Sequence, residues 1–132
     1  MLKVLVGVFI VLHGLVHLLY FGQSQRFFEL QPGMVWPDGS WAFSKLLGDE
    51  TIRLLGSASC VLAALGFVVG GIGVLVNQHW WRSPAIVASV LSSMAFILLW
   101  NGRMQKVHDQ GAIGVLINVA IVVAALIVQW PV

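Results

Sequence analysis

Two histidines, His13 and His17, stand four residues apart inside the first apolar run of this 132-residue chain. At that spacing two imidazoles share one helix face, about one turn apart along the axis. Imidazoles so placed can share a metal ion, relay a proton or hydrogen-bond a ligand. Their neighbours are hydrocarbon in character, so each ring needs a polar partner. Tyr20, Glu50, Arg53, Asn101, Arg103, His108, Asp109 and Asn118 supply the other polar chemistry near the same end of the apolar runs.

A metal at His13 and His17 needs a third and fourth ligand, which would come from His108, Asp109 or Glu50. No HExxH and no paired Glu/His motif accompanies them. Haem held by two histidines needs facing imidazoles from different helices. The later apolar runs contain none, and His79 falls at the opposite side. Proton exchange through a buried carboxylate lacks its carboxylate in every run. Cys60 is the only cysteine, which excludes an internal disulfide and CxxC redox chemistry. No catalytic residue, metal or cofactor is assigned, and the reading is non-enzymatic.

The elements that must position these residues follow from composition. Hydrophobic residues make up 59% of the chain and charged residues 9%, against about 25% charged in a soluble domain. That identifies an integral membrane protein, and the length suits a single domain over residues 1–132. The net charge of +2 gives no basis for nucleic-acid binding. Four spans are predicted, at about 4–21, 52–76, 84–100 and 111–129, each long enough at about 17 to 25 residues to cross a bilayer. The predicted fold is an all-α antiparallel four-helix transmembrane bundle. Lys3 and the first apolar run also resemble a signal peptide, but no small-x-small cleavage site follows, so a retained helix is expected.

Residues 22–50 form the one long connection. Pro32-Gly33 and Pro37-Asp38-Gly39 mark turns. The mixed aromatic and charged stretches at 26–30 and 41–47 predict short interfacial helices. In the second span, Gly66 and Gly70 make a GxxxG that suits close packing inside the bundle. Pro84 suits the first turn of the third span, which carries a small stripe of Ala85, Ala88, Ser89, Ser92 and Ala95. That stripe and the glycines opposite it either bring the backbones together with no cavity, the first reading, or leave room for a hydrophobic ligand. Gly111, Gly114 and Asn118 share one face of the fourth span.

An up-and-down path sorts the tryptophans into two belts. Trp80, Trp81 and Trp130 fall on one side, here side A; Trp36, Trp41 and Trp100 fall on side B. Side B carries Arg26, Lys45, Arg53, Arg103 and Lys106 against Lys3 and Arg82 on side A. Counting basic residues places side B in the cytoplasm and the termini outside. All five acids also lie on side B and Lys3 favours the opposite start, so orientation stays open.

Several segments resemble a family of small bacterial membrane proteins. These are residues 13–18 (HGLVHL), 53–56 (RLLG), 66–73 (GFVVGGIG), 80–82 (WWR), 92–100 and 111–118. The chain is similar to a family of uncharacterised four-helix membrane proteins, loosely DoxX-like. That resemblance implies the four-helix fold and a place in the bacterial inner (plasma) membrane. It brings no established activity.

Polar residues converge on side B, and the expected ligand-binding set is His13, His17, Tyr20, Arg53, Trp100, His108, Asp109 and Asn118. The leading expectation is a protein that binds a lipid-like or quinone-like hydrophobic ligand from the bilayer. An accessory role in a larger membrane complex or a homo-oligomer is the other form of that reading, with Phe27, Phe28, Trp36 and Trp41 as contacts. The alternative is a histidine- or metal-dependent membrane enzyme or transporter using the His13/His17 face.

Overall fold

The computed structural model describes residues 1–25, 27–28, 37, 40–41, 46, 48–99 and 112–128. Four helices follow in chain order: α1 (Leu2–Ser24), α2 (Asp49–Leu75), α3 (Arg82–Leu98) and α4 (Ala112–Val123). A 3₁₀ turn at His79–Trp81 leads into α3, and α4 widens into a π-helical turn at Ala124–Val128. The described residues contain no strand.

α1, α2 and the run His79–Leu98 are each long and apolar enough to cross a membrane. At about 1.5 Å per residue, the 23 residues of α1 reach roughly 35 Å, more than the ~30 Å hydrocarbon layer. The apolar part of α4, Ile113–Ile127, is shorter; the predicted ends of that span, at 111 and 129, lie outside the described residues.

Burial follows a membrane logic rather than an aqueous one. The buried stripe of α1 is Gly7, Ile10, His13, Gly14, His17 and then Gly22 to Ser24, close to a 3.5-residue repeat. Its exposed faces are Leu5, Phe9, Leu12, Val16 and Leu19. A helix in water would put those leucines inside and the polar groups outside. Here the small and polar residues seek the interior and the large apolar ones face outward, as lipid requires.

Glycine sets how closely α1 and α2 approach. A methyl on Gly71 would fall 2.5 Å from Val11 Cγ2 and 2.8 Å from the Gly7 carbonyl oxygen. A methyl on Gly14 would meet Phe67 Cβ at 2.8 Å. Toward the end of α1, Gln25 Nε2 donates to Ser57 Oγ at 2.7 Å, and the Ser57 hydroxyl donates to Ser24 Oγ at 2.8 Å. The Ser24 hydroxyl then donates to the Arg53 carbonyl at 2.8 Å.

The α2–α3 seam is built the same way. A methyl on Gly66 would lie 2.7 Å from Ala88 Cβ, and one on Gly70 would lie 3.1 Å from Ala85 Cβ. The GxxxG therefore packs within the chain. Ala85, Ala88, Ser89 and Ser92 are all buried, so of the two readings of this stripe the close-packed one holds: the small residues bring the backbones together.

The turn between these helices is fixed by backbone bonds. Asn77 takes φ 58°, the left-handed conformation that asparagine tolerates. Gln78 N–H donates to the Gly73 carbonyl (2.8 Å) and Asn77 N–H to the Val74 carbonyl (3.1 Å), the paired bonds of a Schellman ending. Lys3 Nζ, at the start of α1, donates to Asn77 Oδ1. The turn folds Trp81 back over Gly73, where it is 1% exposed. Trp81 thus belongs to the core instead of the side A belt, whereas Trp80 stays exposed as expected.

The described loop residues tie down the far end of α3. Trp41 Nε1 donates to the Ile97 carbonyl at 2.5 Å and the Ser40 hydroxyl donates to the Leu98 carbonyl. These satisfy helix-end acceptors that have no partner within the helix. The predicted interfacial helices at 26–30 and 41–47 fall almost wholly outside the described residues.

Candidate functional site

Near the midpoint of α1, its stripe turns polar. His13 and His17 are buried, 7% and 3% exposed. Their rings lie 5.0 Å apart, edge to face. Phe67 of α2 packs against both, at 4.7 Å from His13 and 5.2 Å from His17. The histidines face inward because they occupy the same stripe as Ile10 and Gly14, and Gly14 lets Phe67 approach that face.

Each ring is held by a residue distant in sequence. His13 Nε2 lies 2.8 Å from Asn118 Oδ1 of α4. An amide oxygen only accepts, so Nε2 carries the hydrogen. Asn118 Nδ2 then donates to Ser93 Oγ of α3 at 3.2 Å. His17 Nδ1 lies 2.9 Å from the His13 carbonyl, also an acceptor, so Nδ1 is the protonated nitrogen. In the neutral ring Nε2 accepts the Ser92 hydroxyl, 2.7 Å away. One helix thus sends two imidazoles to two others, and the result is a polar junction across α1, α3 and α4.

Ser89, one turn before Ser92 and Ser93, is 1% exposed, and among the described residues its hydroxyl has no hydrogen-bond partner. Sequence pattern alone does not single out Ser93 or Phe67, and it marks Ser92 only as part of a small, weakly polar stripe. Hydroxyls at 89, 92 and 93 of an apolar helix were the available signal, since such groups tend to bond across membrane helices.

The structure brings together three of the expected ligand-binding residues: His13, His17 and Asn118. Tyr20 packs on Phe96, ring to ring at 5.0 Å, one turn beyond His17. Arg53 lines a separate surface recess with Ser24, Gln25, Glu50 and Leu54. Trp100, His108 and Asp109 lie outside the described residues. Among the described residues no three His, Cys, Asp or Glu side chains gather as a metal site. The ring nitrogens that bond Asn118, Ser92 and the His13 carbonyl are already engaged.

A groove runs beside the junction. Among the described residues α1 packs along α2, α2 along α3, and α3 along α4, but α1 and α4 are not a closely packed pair. Between them lies an open apolar space of about 180 Å³, walled by Val6, Phe9 and Ile10 on one side and Ile117, Ala120 and Ala124 on the other. Trp81 also lines it. Its size is comparable to the ~150 Å³ apolar cavity that accepts benzene in an engineered protein. His13 stands one turn from Ile10 and stacks at 6.3 Å on Phe9; Asn118 adjoins Ile117. The His13–Asn118 bond therefore marks one end of the groove. No family model matches this chain, and no curated protein or solved structure matches it.

Proposed function

We propose that this chain is a non-enzymatic integral membrane protein that takes a lipid-like hydrophobic ligand side-on into the groove between α1 and α4. Its setting is an antiparallel four-helix transmembrane bundle, with α4 as the fourth span. Contact order supports that arrangement: Gly7 meets Gly71, Gly14 meets Phe67, and Ser24 reaches Arg53. Membership of the DoxX-like family and a place in the bacterial inner membrane belong to the same proposal, resting on the motifs quoted above.

The observation that carries the reading is the unequal treatment of helix seams. Glycine and alanine close α1 on α2 and α2 on α3, while Ala120 and Ala124 help to line an open space. The π-helical turn begins at Ala124, on the groove wall; such widened turns recur at functional sites. Apolar walls suit an alkyl or isoprenoid segment, and the His13–Asn118 pair offers a polar group at the inner end.

Native mass spectrometry of the protein released from detergent tests this. Lipid-mass adducts are expected on the parent chain and lost in Ala120→Phe, which fills the groove from an exposed position. Equal adducts on both would overturn the reading.

A second reading, as an accessory subunit, is favoured by Phe27, Phe28 and Trp41, which are 71%, 45% and 58% exposed. Purification without a co-migrating membrane partner, unchanged by replacing all three with Ser, would contradict it.

A further inference from the structure

Basic residues flank one end of the groove. Lys3 stands one turn before Val6 of the groove wall, and Arg82 directly follows Trp81 of its lining. Lys3 is drawn over the α2–α3 turn by its bond to Asn77, and His79 lies on the same turn, exposed. The five acidic residues are Glu29, Asp38, Asp49, Glu50 and Asp109, all in the connections assigned to side B, so side A has none. Asp49 and Glu50 open α2, at the opposite end of that helix from Asn77.

An apolar slot with Lys3 one turn before its lining and Arg82 directly after it matches an amphiphile with a negative head. We propose that the groove's occupant is an anionic phospholipid of the side A leaflet. Its phosphate lies at the Lys3–Arg82 rim and one acyl chain runs down the groove toward His13. Lys3 to Ile10 spans about 10 Å of helix, so the groove lies in the acyl region just below a headgroup held at Lys3. Lysine suits that place because its stem lies along apolar surface while its ammonium stays at the interface. Each Lys or Arg near the surface of an anionic membrane favours such a lipid about fivefold.

This inference rests on the groove reading, and the test separates the two. The full chain is reconstituted into bilayers carrying phosphatidylglycerol or phosphatidylcholine with a photoactivatable group on one acyl chain, and labelled peptides are mapped. Labelling of α1 and α4 groove residues is expected to favour phosphatidylglycerol by about fivefold or more. Lys3→Gln, which keeps a donor for Asn77, should reduce that preference about fivefold; Lys3→Arg should keep it. Equal groove labelling by both lipids overturns the anionic assignment while leaving a hydrophobic groove. Labelling by neither overturns the groove reading itself.

Discussion

The α1–α2 and α1–α4 seams use the same helix and opposite means. Against α2, α1 presents Gly7 and Gly14, and backbone atoms come so close that a single methyl would collide. Facing α4, it presents Val6, Phe9 and Ile10 across an open groove, with the His13–Asn118 hydrogen bond as a polar link. In lipid no hydrophobic drive pulls helices together, so dispersion over a tight seam and hydrogen bonds do the holding. The α1–α2 seam is thus the tight one and the α1–α4 seam the loose one. A seam with many close contacts holds its position, whereas one hydrogen bond in a membrane contributes on average only about 0.6 kcal/mol.

Substitutions should separate the two seams. Gly71→Val is expected to have the largest effect. Its side chain would press on Val11 and the Gly7 carbonyl, and a backbone has little room to yield. Destabilisation at or above the ~1–3 kcal/mol of ordinary overpacking is expected, read as a lower unfolding midpoint in detergent. A midpoint within error of the parent would show that this seam is loose.

Asn118→Leu, similar in size, removes the partner of His13 and should cost less, about 0.6 to 1.7 kcal/mol. Spin labels placed on the outer faces of α1 and α4 should then show a broader distance distribution, while labels on α1 and α2 should not. Identical distributions would mean that the clasp does not hold α4. Ser40→Ala, which frees one carbonyl at the end of α3, should cost about 0.5 kcal/mol and leave both seams unchanged in the same experiment. Ala120→Phe should change stability least, because its side chain enters empty groove; a large loss would mean that the groove is already filled by protein.

Much of the frame was legible in the chain itself. Apolar runs located the helices, Pro84 fell in the first turn of α3, and the i,i+4 spacing put His13 and His17 on one face. Each of these is local, fixed by helix period or by proline chemistry. What stayed hidden is what depends on the third dimension. Asn118 lies 105 residues from His13 and Ser92 lies 75 from His17, and nothing local pairs them. Periodicity marks which residues face inward but not which seam closes, so the close packing of α2 on α3 was one of two open readings and the space between α1 and α4 was not foreseen. Trp81 was misread because tryptophan near a span end ordinarily sits in the interface. Only the Schellman ending at Asn77 and the fit against Gly73 turn it inward.

The central claim is that a lipid chain occupies the groove, and Trp81 can report it directly. Among six tryptophans, it lines the groove yet is 1% exposed. A variant keeping Trp81 alone, with the other five changed to Phe, is placed in bilayers whose acyl chains carry bromine, a short-range quencher that does not need direct contact with the ring. Strong quenching of Trp81 is expected, and Ala120→Phe should largely abolish it. Fluorescence unaffected by bromine, or quenched equally with the groove filled, would contradict it.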